Sequence, residues 1–470
     1  MRRRNFLFFA FLIALVGGVA GPARAQNESQ FAADLRHEGD KFKESCGHFD
    51  LKSFADCGQL LFTGHPFHIA AGSIAPQNGF SFGPSLVAHL TPNESWRLSW
   101  NADLVASTNG SWRAGVYMKS IYIKPRKIVM KPGGPPGTSK PKLAVQEYPV
   151  LNVYAEGISL NKITYFGLGP ATTPQGRSFF GMREVIVGGT ALWPVYEPLK
   201  LSLYGEANGR FVDIRGSRGQ SSPSIEQIYT DATAPGLSSQ PGFAQFGEGI
   251  RIRPALFGDH LRLNYSLTYQ QFVAAGDSRF SFQRLTVDLS HQIPLYRRTR
   301  TNLPKDHNGP DECSQDATNH DCPGVTRDRE GSVGVRLLIV QSFTPAGHVV
   351  PFYFQPTLGG ADIAGNTTLV SYQDYRFRAP NLLLLRGSFE HSIYGPLGFS
   401  FAADTGKVAL ARGDLDFSHL VHSYAAGLTL RAGGFPQVWL QFAWGGHEGT
   451  HTIAAMNTSL LGGAARPSLY

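Results

Sequence analysis

In LRLNYSLTYQ (261–270), Leu261, Leu263, Tyr265, Leu267 and Tyr269 alternate with Arg262, Asn264, Ser266, Thr268 and Gln270. A period of two puts one set on each face of an extended strand. The same dyad runs through RLSWNADL, LKLSLYGE, RLTVDLSH, VGVRLLIV and VWLQFAW. Counted from Phe80, it predicts strands near 80–92, 95–108, 111–124, 145–157, 178–194, 199–213, 243–256, 260–275, 280–295, 331–343, 347–357, 381–394, 397–410, 421–432, 436–445 and 451–461. The total is about sixteen, an even number, and each run has about the length that crosses an outer membrane at a tilt. Tight connections such as Thr108-Asn109-Gly110 contrast with long polar ones at 125–144, 214–240, 296–330 and 358–380. That contrast predicts short periplasmic turns and longer outside loops.

Soluble sandwiches and propellers alternate too. Their apolar faces form dry cores richer in Val and Ile, and chains beyond ~250–300 residues split into domains. No repeat of propeller-blade length is present. A closed barrel also leaves no strand edge exposed. The expected fold is therefore all-β: a 16-stranded antiparallel transmembrane β-barrel with a short periplasmic N-terminal segment.

Composition sharpens this picture. The start, MRRRNFLFFAFLIALVGGVAGPARAQ, has a basic n-region, an apolar stretch from Phe6 to about Val19 and a small-x-small site at Ala23-Arg24-Ala25. It reads as a signal peptide over 1–25, followed by a periplasmic arm or plug over 26–79 and the barrel over 80–470. No later apolar run approaches the 18 residues of a helical span. Gly 53, Phe 32 and Tyr 17 with 17% charged residues suit short aromatic strands and turns. The net charge of +8 is spread thinly, which argues against nucleic acid as a partner. Cys46 with Cys57 and Cys313 with Cys322 are close pairs, read as local disulfides in an oxidising compartment rather than a zinc site.

One motif points elsewhere. His447-Glu448-Gly449-Thr450-His451 matches the H-E-x-x-H of zinc proteases, which works only on a helix, where both histidines share a face. Here Trp444 ends an alternating run and Gly445, Gly446 and Gly449 break it, so the string reads as a turn. Ser290 beside His291 cannot form a nucleophile–base pair, because successive strand residues face opposite ways. No enzyme, metal or cofactor is implied.

From about residue 66 onward the sequence resembles the BamA/TamA outer-membrane superfamily, the bacterial surface-antigen barrels. The resemblance is carried by GSIAPQNGFSFG (72–83), YFGLGPATT (165–173), APGLSSQPGF (234–243), RFSFQRLTVDLSHQIPL (279–295) and the segment PTLGG to SFAADTGKV (356–408). It implies a loop folded inward near 358–380, held by the aspartate of a D-x-G strand, here Asp404 and Gly406. The family's Arg-Gly-aromatic tip is absent: Leu369-Val370-Ser371-Tyr372 stands in its place. A lone carboxylate in a partly desolvated lumen is costly, so Arg376 or Arg378 is expected to replace the missing arginine, with Tyr372 at the tip. The family's periplasmic POTRA modules need about 75 residues each, and 26–79 holds less than one, so the chain resembles the short members.

The resemblance implies insertion or translocation of protein or lipid, with outer-membrane lipids and a periplasmic protein partner, or polypeptide or lipid cargo, as partners. Two alternatives stay open. One is a solute pore whose lumen is made basic by Arg251, Arg253, Arg262, Arg284 and Arg336, unless these pair with Asp103, Glu206 and Asp288. The other is a barrel-type lipase or protease. If the H-E-x-x-H string is a turn, His447→Ala leaves the protein without any change in zinc-dependent peptide cleavage; a cleavage activity lost in that variant would restore the protease reading.

Overall fold

The computed structural model describes residues 66–93, 95–123, 148–217, 223–302, 325–394, 397–430, 438–446 and 448–456. Met1–Leu60 and Leu61–Tyr470 form separate units; in the first, positions 32, 33, 35, 36, 39, 40 and 43 are helical. The signal peptide, the four cysteines, His447 and the tail beyond 456 lie outside the described residues.

The second unit is one large antiparallel sheet. Its strands are β1 (Phe67–Gly72), β2 (Ser81–Asn93), β3 (Trp96–Ser107), β4 (Trp112–Tyr122), β5 (Val150–Tyr165), β6 (Ser178–Tyr196), β7 (Leu201–Gly216) and β8 (Phe243–Ile252, resumed at Ala255–Leu256). They continue with β9 (Leu261–Ala274), β10 (Phe282–Asn302), β11 (Val325–Phe343), β12 (Asn381–Tyr394), β13 (Leu397–Ala409), β14 (Val421–Leu430), β15 (Val438–Trp444) and β16 (His451–Met456). Each pairs with the next in sequence. Among the described residues no ladder joins β16 to β1.

The strand count agrees with the periodicity through two errors that cancel. Segment 347–357 is not a strand: Phe352–Phe354 forms a 3-10 turn between Pro351 and Pro356. Pro351 and Pro356 flank the aromatic run and each removes a ladder donor, which weakens pairing there. Conversely, Phe67–Gly72 pairs with β2, so the sheet begins before Phe80. Strand parity changes with it. Connections 217–242 and 344–380 leave one end of the sheet, whereas 123–149 and 303–324 leave the other. The expected division into a short-turn end and a long-loop end is therefore not realised.

Register explains what the alternation is for. Across ten strands, β2 to β11, a row runs His89, Ser99, Lys119, Asn152, Thr190, Glu206, Gly247, Gln270, Arg284 and Ser342. No apolar side chain interrupts it. On the opposite face, Leu203, Ile250, Leu267, Val287, Ile339 and Leu383 align across β7 to β12. Burial is inverted relative to a soluble protein. Arg113, Arg210, Arg284, Glu184, Glu156 and Asp103 are buried, while Phe211, Phe246 and Leu440 are more than half exposed. A sheet in water would do the reverse.

Candidate functional site: the enclosed loop and its anchors

Between β11 and β12 the chain leaves the sheet at Thr344 and returns at Pro380, and most of that loop is buried against the polar face. Two small ladders shape it, Thr357–Leu358 on Phe377–Arg378 and Gly360–Ala361 on Thr367–Thr368. At its tip Tyr372 N–H donates to Leu369 O at 2.9 Å, with Leu369 at φ +45°. This turn is the Leu369–Tyr372 stretch singled out in the sequence.

Below the tip, Ser290, Arg336, Arg386, Asp404 and Ser423 lie in register across β10 to β14. Asp404 is 3% exposed. Its carboxylate receives Arg386 through Nε at 2.6 Å and Nη2 at 2.7 Å, and the Leu369 N–H at 2.8 Å. The Arg386 guanidinium also donates to Thr367 O, and Ser371 N–H donates to Ser423 Oγ at 2.9 Å. Arg336 faces Arg386 across the ladder, a pairing that repels unless each charge has its own acid. Asp288 supplies the second one, bidentate to Arg336 at 2.9 and 2.9 Å.

The expected replacement of the family's tip arginine is thus corrected: the arginine on Asp404 comes from the neighbouring strand, not from the loop. Arg376 pairs instead with Glu448 in the β15–β16 turn, and bonds Thr172 Oγ1 at 2.8 Å and Thr172 O at 2.6 Å. It also lies over the Phe166 and Phe377 rings. Arg378 donates to Phe352 O at 2.7 Å, and its own carbonyl accepts the Gly169 N–H at 2.8 Å. Both arginines act inside the loop region, but on other connections, because the loop's return strand carries them away from its tip. Tyr372 is buried against Phe377 at 5.2 Å, with Gly446 beneath its ring. Gly406 lets Leu358 of the loop approach the wall; a Cβ there would sit 2.5 Å from Leu383 O.

A second anchor is aromatic. Phe352 meets Tyr165 and Phe180 at 5.2 and 5.1 Å, and Phe354 meets Phe243 at 4.9 Å. Arg284 donates to Phe354 O and lies over the Phe272 and Phe282 rings. A third contact joins Asp374 to Ala361 N–H at 2.9 Å and to Gln77 Nε2 at 3.3 Å. Burial pushes the Asp374 carboxyl above the ordinary carboxylate range. Its contribution to the packed loop is full at low pH and is lost as pH rises through that raised value.

The other arginines of the basic-lumen reading are also engaged. Arg262 forms a bidentate pair with Asp259 at 2.8 and 2.7 Å. Arg251 lies in register between Ser202 and Ser266, and Arg253 is exposed where β8 breaks. Two of the expected acids take other partners. Asp103 pairs with Arg113, and Glu206 accepts Tyr204 at 2.9 Å, Gln245 at 2.9 Å and Gln270 at 2.5 Å. Sequence reasoning missed Arg386, Glu448 and Thr172 as anchors. A plain hairpin about Tyr394 and Leu397 would set Arg386 opposite Thr405; the register shift between Ser392 and Tyr394 is what brings it opposite Asp404.

Among the described residues of the H-E-x-x-H string, Glu448 lies in a turn. Gly445, Gly446 and Gly449 have φ of +89°, +107° and +98°, Trp444 closes β15 and His451 opens β16. Among the described residues no cluster could hold a metal ion. His291 Nε2 lies 2.6 Å from Tyr265 OH, across the ladder from its own strand.

No family model matches the sequence, and no curated protein does. Solved structures are similar. BamA from Haemophilus ducreyi lacking POTRA domains 1-3 is 10% identical with a TM-score of 0.45, over 83% of this chain and 70% of that one. CdiB from Escherichia coli is 12% identical with a TM-score of 0.46, over 83% and 60%. CdiB from Acinetobacter baumannii is 10% identical with a TM-score of 0.43, over 82% and 57%. The chain thus spans less than two thirds of either CdiB. At this distance the likeness says nothing of function.

The anchor at Asp404 makes a definite prediction. Arg386→Met leaves a buried carboxylate unpaired and costs about 3–5 kcal/mol in urea unfolding followed by tryptophan fluorescence. The double variant Arg386→Met, Asp404→Leu loses far less than the sum of the single losses. Strict additivity of the two would show that these side chains do not interact.

Proposed function

We propose that this chain is a sixteen-stranded outer-membrane β-barrel of the BamA/TamA superfamily, closed at one end by its enclosed loop, and that it inserts or moves polypeptide or lipid at that membrane. The observation that carries the reading is the inverted sheet. Apolar rows occupy the exposed face, where only hydrocarbon would favour them, and charged rows occupy the buried face, where they are paired or bonded. The signal-peptide pattern and the D-x-G strand beneath a buried loop support the same assignment.

The loop favours a gated barrel over a standing pore. Its tip, its aromatic base and Arg376 tie it to strands and connections around the sheet, so passage requires these contacts to be released. An inner face of paired charges also gives a steady anion current little to work on. Transport would therefore be coupled to loop movement or to opening of the wall.

Planar-bilayer recording of the refolded protein tests this. The intact protein gives a quiet, occasionally flickering trace, and deletion of residues 358–380 gives a steady conductance. A steady open pore in the intact protein would favour the porin reading instead.

The outward face supplies an independent check. Glu248 projects from it between Phe246 and Ile250, with Gly205 and Tyr269 as its cross-strand neighbours. Facing lipid, this carboxylate is a cost, so Glu248→Leu stabilises the protein in bilayers by on the order of 1 kcal/mol. A loss of stability on that substitution in lipid would mean that this face does not meet hydrocarbon.

A further inference from the structure

Along β6 the exposed face changes from aromatic to basic. Trp193 and Tyr196, both more than half exposed, stand at the end remote from the enclosed loop. Val185, Val187, Gly189 and Ala191 carry the face toward the loop, and Arg183 then interrupts it. Arg183 and Trp193 are about 33 Å apart along an extended strand, or ~25 Å in depth at the tilt of a membrane barrel, which is the height of a lipid-facing band. Arg183 therefore stands where hydrocarbon would give way to headgroups.

Three further bases gather above it. The Arg215 guanidinium lies across Gly181, where a Cβ would sit 2.8 Å from its Nε, and donates to Ser159 Oγ and Asn161 Oδ1, both at 2.7 Å. Lys162 Nζ and Arg177 Cζ stand 4.8 and 5.7 Å from the centroid of one ring, that of Phe179. Phe179, Gly181 and Arg183 are alternate residues of β6, so the bases form a single column. Two acids accompany them: Asp213 opposite Arg183, and Glu226, which shares a hollow with Arg215. The buried Arg113 and Arg210 each hold an acid, whereas among the described residues Lys162, Arg177 and Arg183 form no ion pair. Like charges crowded at one place repel, and an anion from outside the chain relieves them.

We propose that this column binds the headgroup of an anionic, phosphate-bearing lipid in the leaflet on the enclosed loop's side. The phosphate meets Lys162, Arg177 and Arg183, and an acyl chain runs down over Val185, Val187 and Phe211, the last of them opposite Val185 and 60% exposed. Apolar surface continues directly below the bases, so a lipid gains from both its chain and its charge where free phosphate gains only from charge. The proposal rests on the exposed face meeting lipid, but not on the barrel transporting anything.

The test is native mass spectrometry of the full-length protein refolded in detergent, with phosphatidylglycerol or the zwitterionic phosphatidylcholine added. The unaltered protein retains phosphatidylglycerol the more tightly. Arg177→Gln and Arg183→Gln each weaken that retention about fivefold, and the double variant about twenty-five-fold, while phosphatidylcholine is held alike by all. Both side chains are exposed, so these variants fold. Arg412→Gln, which removes an exposed base on the β13–β14 connection, leaves retention unchanged. An equal loss with Arg412→Gln would mean net charge and no site, and displacement of the lipid by inorganic phosphate beyond that by chloride at equal ionic strength would mean a free-anion site; either overturns the proposal. Equal retention of the two lipids overturns it as well but leaves the lipid-facing sheet standing, whereas retention of neither sinks that reading too.

Discussion

A carboxylate as buried as that of Asp404 is costly to leave unpaired, and the way it is neutralised organises the middle of this sheet. Arg386 reaches it from the adjacent strand, and the same guanidinium takes a carbonyl of the loop. The loop tip then donates its own N–H to the carboxylate. One ion pair thus fastens wall to wall and loop to wall. Breaking it exposes two charges that the surroundings cannot solvate, which is why such a pair holds position more firmly than its net stability suggests.

The neighbouring charges follow from that arrangement. Arg336 and Arg386 face one another, so each needs an acid on its far side, and Asp288 and Asp404 occupy those places. Farther round, Arg113 with Asp103 and Arg210 with Glu184 repeat the device. Polar groups of the buried face bond one another, and the exposed face is left to apolar side chains. The same alternation that would bury hydrophobic residues in a soluble sheet here displays them, because the buried face is covered by polar pairs and by the loop.

The loop itself is held at three places by two kinds of force. Its tip uses charge-assisted hydrogen bonds, its base uses edge-to-face aromatic packing around Phe352 and Phe354, and Arg376 crosses to Thr172 and Glu448. Aromatic contacts of this kind tolerate small displacements, whereas a bidentate pair does not. A movement that frees the tip can therefore begin before the base is disturbed.

The period of two in the sequence determined that the chain is a many-stranded sheet with one apolar and one polar face, and most strand positions followed from it, because side-chain direction along a strand is a local property. The turn around Gly445, Gly446 and Gly449 was legible through glycine and the broken alternation, and the tip of the loop only through the resemblance carried by 356–408. The ends of the sheet were not. Phe67–Gly72 is too short to stand out, and 347–357 carries an aromatic pattern whose pairing its prolines weaken, so strand parity and the side to which each loop belongs emerged only in the folded chain. Partner choice among charges was likewise decided by tertiary structure. Asp404 could have met Arg376, Arg378 or Arg386, and register across β12 and β13, not distance along the chain, brought Arg386 to it.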